Sequence, residues 1–191
     1  MKKIEKGDAP EFFSEFVAKE HPVGWDDVGP VRQDLRKHIL REQYGLCAYT
    51  EIRITSDEKC HIDHFRTRNL FPGKVFDYRN LLVAFTSDRF GARHKDGRMK
   101  QLEDYDLLID PVQEDPSRYL EFSFTGEVLA VKDCEKGRHT IEAFNLNERS
   151  LVRRRKLAVC SLLSMRDVLT EDEVVDAIGE FGSMLRQLYY Y

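Results

Sequence analysis

The sequence predicts an α+β protein, in which helical flanks enclose a small β-β-α unit and a β-hairpin follows it. Three observations predict this. Apolar residues recur at helical spacing near the start, as in Phe12, Phe13, Phe16 and Val17, and again in the last third. The middle turns to short β-forming runs, Cys47 to Ile54 and Cys60 to Phe65, parted by the turn signal Thr55-Ser56-Asp57. Beyond them, Tyr119 to Phe124 and Glu127 to Val131 flank Thr125-Gly126, which is a hairpin pattern.

Each element has its local reason. Pro10 suits the first turn of a helix running to Glu20. His21-Pro22, Gly24 and Gly29 mark a loop over 21–29. A second helix starts near Pro30, carries Val31, Leu35, Ile39 and Leu40 on one side, and stops near Tyr44 before Gly45. After the two strand-like runs, Pro72-Gly73 breaks the chain, and Asp77 is placed to cap a helix bearing Leu81, Leu82 and Phe85. Helices are expected again over 134–145, 147–166 and 170–190. Thr170 with Glu173 forms a capping box at the last of these, and Glu171 and Asp172 suit its first turn. No repeat, low-complexity tract or linker divides the chain. One domain is expected over 1–191, with a core at about 44–100, N-terminal helices at 10–44, and the hairpin and C-terminal helices at 105–191.

Composition narrows the class. The 191 residues are 41% hydrophobic and 34% charged, with 12 Phe and 8 Tyr, which is enough to build a core and excludes a disordered chain. The net charge of −4 gives no global pull on a polyanion, so any nucleic-acid contact needs a local patch. The longest purely apolar run, Leu81 to Phe85, is far too short to span a bilayer. Glu5, Lys6 and Asp8 interrupt any leader-like start, so a cytoplasmic protein without membrane contact is expected. Cys47, Cys60, Cys134 and Cys160 show no paired spacing and are expected as free thiols.

Cys60-His61-Ile62-Asp63-His64-Phe65 is the most informative stretch for chemistry. On a strand, His61 and Asp63 share a face and His64 takes the other. A strand ending there would free both Asp63 and His64 to reach one site. Phosphodiester hydrolysis needs a deprotonated water and neutralised phosphate charge. A histidine titrating near working pH suits the first task, and a divalent cation held by a carboxylate suits the second.

Downstream context adds a resemblance. Tyr44-Gly45-Leu46-Cys47-Ala48-Tyr49, the His-Ile-Asp-His-Phe-Arg string and Asn80-Leu81-Leu82 together resemble an HNH nuclease. The pattern is most similar to the PtuB-like HNH subunit of Septu-type and retron-associated antiphage systems. It extends through Leu108-Ile109-Asp110-Pro111, Tyr119 to Phe122 and Asn145-Leu146-Asn147 to Arg153-Arg154-Arg155-Lys156, covering about positions 30 to 160. The resemblance implies a ββα-metal core. It implies His64 as the general base, Asp63 as a ligand of the catalytic cation, and Asn80 as the residue fixing the loop that carries the base. It implies His94 as the second metal ligand, and phosphate contacts from Arg93 and Lys95. The spacing from Asn80 to His94 is longer than usual, and Asp88 falls nearer the usual place, so either is a candidate second ligand. His94 also suits a solvated basic turn.

The cation implied is Mg²⁺ or Mn²⁺, which suits a carboxylate and an imidazole open to water and phosphate. A structural zinc is not expected. Only Cys47 remains of the four-cysteine knuckle of many relatives; Thr50, Phe85 and Phe90 occupy the other places, and one thiolate cannot build a four-ligand site. Apolar packing is expected there instead.

Partners follow from charge and from the resemblance. Arg66 and Arg68 flank the His-Asp-His string, and Arg89, Arg93, Lys95, Arg98 and Lys100 follow against Asp96 alone, as a groove tracking phosphates of DNA or RNA requires. Arg153 to Lys156 suits either a second contact or a solvated helix face. Trp25 is expected in the core or on a partner surface, and the closing Tyr189-Tyr190-Tyr191 on another protein. The resemblance implies an ABC/SMC-like (PtuA-like) ATPase partner and allows a retron reverse transcriptase with its DNA–RNA product. Two rival readings remain: a catalytically silent adaptor keeping the HNH shape, and a metal hydrolase acting on something other than nucleic acid.

Overall fold

Helices α1 (Glu11–Glu20) and α2 (Gly29–Glu42) form where apolar spacing predicts them in the computed structural model, which describes residues 1–191. Phe13 of α1 and Leu35 and Ile39 of α2 are buried, so the two helices meet along their apolar stripes. Between them a short 3-10 turn, Trp25–Val28, buries both of its end residues.

Two central expectations change. Cys47 to Ile54 is a tight turn rather than a strand. Leu46 and Arg53 form a single bridge, Cys47 N–H and Ile52 C=O bond across the turn at 2.8 Å, and Glu51 sits at φ 58°, outside the β region. Asp77 does cap, accepting from the N–H of Arg79, but what it caps is one 3-10 turn, Tyr78–Asn80. Leu81, Leu82 and Phe85 then continue as a strand instead of a helix.

The central unit is therefore β1 (Cys60–His64), β2 (Leu81–Phe85) and α3 (Ala92–Arg98). The strands pair antiparallel, with Asp63 opposite Leu82 and His64 opposite Leu81. A two-stranded ribbon leaves a ladder edge to be satisfied. Gln43 does this for β2: its amide bonds Val83 N–H and Val83 C=O, each at 2.8 Å, and Ala48 N–H bonds Val83 C=O at 3.0 Å. The N-terminal helices are thereby fixed to the central unit by hydrogen bonds as well as by packing.

The hairpin forms as expected, from β3 (Leu120–Phe122) and β4 (Val128–Ala130). Gly126 lies in its turn at φ 88°, and a Cβ there would come within 2.5 Å of Val152 C=O. The turn thus rests directly on α5 (Arg149–Met165), preceded by α4 (Glu135–Ala143). The expected helix over 170–190 is two, α6 (Glu171–Ile178) and α7 (Gly182–Leu188), because Gly179 takes a left-handed φ of 74°. The Thr170–Glu173 capping box is present. One continuous cluster of buried apolar residues runs from Met1 to Leu188. No helix is long and apolar enough to cross a membrane, and all four cysteines are free thiols.

Candidate active site

β1 ends at His64, and its last residues open onto a cleft of about 430 Å³. His61, Asp63 and His64 line it from the strand, and Asp96 lines it from α3. Trp25 forms part of the wall. Arg68 and Lys100 stand exposed at the lip. The end of the strand is what lets both Asp63 and His64 reach one space.

His64 is held by its surroundings. Its Nε2 lies 3.0 Å from the carbonyl of Val75. A carbonyl only accepts, so Nε2 carries the proton and donates it, and Nδ1 keeps its lone pair without a protein partner. The Trp25 ring packs edge-on against the imidazole, with centroids 4.5 Å apart. Burial pushes the His64 pKa below its ordinary value, outweighing the Val75 bond and the charge of Asp63. The ring is therefore neutral at pH 7, the form a base needs. His61 is also pushed down by burial, and its Nδ1 is 3.0 Å from Thr86 Oγ1.

Asn80 organises the loop after β1. Its side-chain carbonyl accepts from Arg66 N–H at 2.8 Å, and its amide donates to the carbonyls of Arg66 and Lys74, each at 3.0 Å. Both ends of the 66–74 loop are thus tied to one buried amide, and Val75, which orients His64, follows immediately.

Beneath the cleft lies a charged cluster. Lys95 of α3 is fully buried, and its ammonium donates to the carbonyls of Phe65 at 2.8 Å and His64 at 3.0 Å. It lies 2.8 Å from Asp96 and 3.3 Å from Asp63. Burial works against this charge, but Asp63 and Asp96 outweigh it and hold the ammonium's pKa above its ordinary value. The Tyr49 hydroxyl donates to the same Asp63 oxygen that Lys95 faces. Burial and the charge of Asp63 hold the Tyr49 proton on well above the usual phenol range.

The structure assembles the expected residues selectively. Asp63, His64 and Asn80 come together around the cleft and its loop. His94 does not line the cleft: its Nδ1 faces Ala143 C=O, at 2.9 Å, at the end of α4. Asp88 is exposed and paired with Arg93 at 2.7 Å, so the other candidate ligand and an expected phosphate contact occupy each other. Arg66 lies over the rings of Phe71 and Tyr105, outside the cleft lining. Lys95 has no exposed surface to offer a phosphate, and its three protons are taken by the carbonyls of His64 and Phe65 and the carboxylate of Asp96. Arg68 and Lys100, expected in the basic groove, do stand at the cleft, and the residues there that sequence reasoning left out of the site are His61, Asp96 and Trp25. The alternation placing His61 beside Asp63 carried a signal for the first. Nothing in the sequence marks Asp96 above Asp88.

These positions bear on the implied cation. No group of three or more His, Cys, Asp or Glu side chains stands at metal-ligating spacing. The expected pair of Asp63 and His94 is not assembled, and an ammonium already faces Asp63. The residues present do not fit Mg²⁺ or Mn²⁺ in this arrangement.

Elsewhere, Cys47 Sγ accepts from Phe85 N–H at 3.2 Å, and the rings of Phe85 and Phe90 stack at 6.1 Å. The Arg153–Lys156 cluster divides. Arg155 is buried and donates to the carbonyls of Gly126 and Leu146, while Arg154 pairs with Glu180. Tyr189 packs its hydroxyl onto Leu169 C=O at 2.6 Å, and Tyr190 and Tyr191 are exposed.

No protein-family model matches the chain. Among curated proteins it is similar to the Septu protein PtuB of Bacillus mycoides (strain KBAB4), with 27% identity over 177 residues. The match covers 78% of this chain and 58% of the relative, so the chain spans little more than half of that protein's length.

Proposed function

We propose that this protein is the nuclease subunit of a Septu-type antiphage system, hydrolysing phosphodiester bonds of DNA or RNA with His64 as general base. One observation carries the reading: the proton on Nε2 is committed to Val75, so a neutral imidazole presents Nδ1 at a cleft with two cationic side chains at its lip. A phosphodiester drawn to Arg68 and Lys100 would stand beside that nitrogen. Nδ1 takes a proton from water as the water oxygen attacks phosphorus, and the opposite P–O bond breaks. Trp25 and the 66–74 loop hold the ring in place. The similarity to a Septu protein supports the defence setting. An ABC/SMC-like ATPase partner controlling cleavage, and a retron assembly as an alternative setting, belong to the same proposal.

The test is cleavage of labelled DNA and RNA by the chain, alone and within the assembly that co-purifies with it, against a His64→Ala variant. Loss of cutting in the folded variant supports the reading, and retained cutting removes it.

One observation favours a second reading, a catalytically silent adaptor of the same shape. Lys95 neutralises Asp63, the carboxylate expected to hold a catalytic ion, from inside the protein. Failure of the wild-type assembly to cut any nucleic acid would select it.

A further inference from the structure

We propose that the ammonium of Lys95 is this site's resident cation, seated between the carboxylates of Asp63 and Asp96 in place of a divalent ion, so that the free chain binds no Mg²⁺ or Mn²⁺ there. The inference goes beyond the nuclease reading and stands without it, since it asks only which ion neutralises two carboxylates.

Four oxygens surround Lys95 Nζ: Asp96 Oδ1 and Phe65 O at 2.8 Å, His64 O at 3.0 Å and Asp63 Oδ2 at 3.3 Å. Two carboxylates and two backbone carbonyls form the hard-oxygen set that usually surrounds a divalent metal. Here they stand at ammonium distances, well beyond the roughly 2.0–2.1 Å of Mg²⁺–oxygen bonds. The three protons of the ammonium match three of the acceptors: Asp96 and the two carbonyls. Asp63 is drawn in by charge, and its Oδ2 also accepts from Tyr49. The three ammonium protons are therefore all engaged, and one oxygen of each carboxylate is neutralised, without an added ion.

Charge gives the same answer. Asp63 and Asp96 with Lys95 leave one net negative charge, and Arg68 and Lys100 stand at the lip of the same cleft. A divalent ion entering beside Asp63 would meet a buried like charge in contact with its ligand, a repulsion that low-dielectric surroundings strengthen. Leaving is also costly for Lys95. It springs from the middle of α3 with no exposed surface, and the carbonyls ending β1 would lose their donor inside the protein. The tether serves a second purpose: Lys95 grips the backbone of His64 and so fixes the strand end that presents the imidazole. It acts as a positioning residue, with Asp63 and Asp96 as its anchors.

The test uses Mn²⁺ itself, read by the electron-paramagnetic-resonance signal of the free ion, on the full chain. The wild type should leave that signal unchanged at Mn²⁺ concentrations up to about the millimolar range. Lys95→Gln keeps an N–H donor for the carbonyls but removes the charge, and Lys95→Ala opens the space. Each should take up one Mn²⁺ at least tenfold more tightly than the wild type, and adding Asp63→Asn should abolish that uptake. Stoichiometric Mn²⁺ binding by the wild type that Asp63→Asn removes would overturn the proposal. So would folded Lys95 variants that still ignore Mn²⁺. If neither variant folds, the wild type decides through the ¹⁵N resonance of the Lys95 ammonium: it should stay sharp when Mn²⁺ is added, and paramagnetic broadening would overturn the assignment. None of these readings requires cleavage, so they fail or succeed apart from the nuclease proposal.

Discussion

His64 donates one ring nitrogen to the carbonyl of Val75, at 3.0 Å, and keeps the other for the cleft. This bond selects the tautomer, and burial beside Trp25 selects the neutral form.

A pH dependence follows. The folded pKa of His64 lies below the ordinary 6.5, so the base form persists as pH falls to that value. Cleavage should hold between pH 8 and 6.5 and fall only at lower pH. The ring's own titration, followed by NMR, should have its midpoint below 6.5. The unfolded chain binds this proton more readily, so the fold also loses stability as pH drops through the same range. A midpoint above 6.5 would contradict the described environment.

Asn80 should matter through the loop rather than through contact with substrate. Asn80→Ala leaves the N–H of Arg66 and two carbonyls without partners, and should cost about 2 kcal/mol or more in urea unfolding. Hydrogen exchange over residues 66–75 should accelerate while that of α6 and α7 does not. Unchanged exchange in the loop would show that Asn80 does not tie it.

How much of this was legible depended on what each signal encodes. The helices α1, α2, α4 and α5 and the hairpin were visible because each buries one face, and their periods are distinct. β2 was missed because Leu81 to Phe85 is apolar throughout and buried on both sides, a run whose period tells nothing apart. The turn at 47–54 was missed because its β-forming residues are there for burial: Cys47, Tyr49 and Ile52 are all inside. At the site, Asp63 and His64 were legible from their adjacency at a strand end, and Asn80 only through the resemblance. Lys95 was not, because lysine is almost never fully buried and only the fold reveals two carboxylates waiting for it. His94 and Asp96 differ by two residues on one helix, and the rotation of α3 decides which faces β1.

Lys6 gives a stability prediction of the same sign as that of His64, at higher pH. Burial lowers its pKa to about 8, against the help of Glu42, and its ammonium bonds Leu81 C=O at 2.7 Å. Between pH 8 and the ordinary value of 10.5 the unfolded chain holds more protons, so the cost of burying this charge fades as pH rises. The wild type should gain stability relative to Lys6→Met between pH 8 and 9.5, in melts compared at matched pH. A relative loss would contradict the assignment.

Gly126→Ala should destabilise the C-terminal half. Its Cβ would meet Val152 C=O and the N–H of Lys156 at 2.5 and 2.8 Å, at a φ of 88° that alanine disfavours. A cost of about 1–3 kcal/mol is expected in chemical unfolding. A neutral substitution would show that the hairpin turn does not rest on α5 as described.

The most direct measurement of the central claim is single-turnover cleavage of end-labelled DNA and RNA by the co-purified assembly, comparing wild type with His64→Ala, with the fold of each verified by circular dichroism. The account predicts that the wild type cuts at least one of the two and that the substitution lowers the rate by about 100-fold or more, as loss of a general base does. Equal rates from the two folded proteins would contradict it.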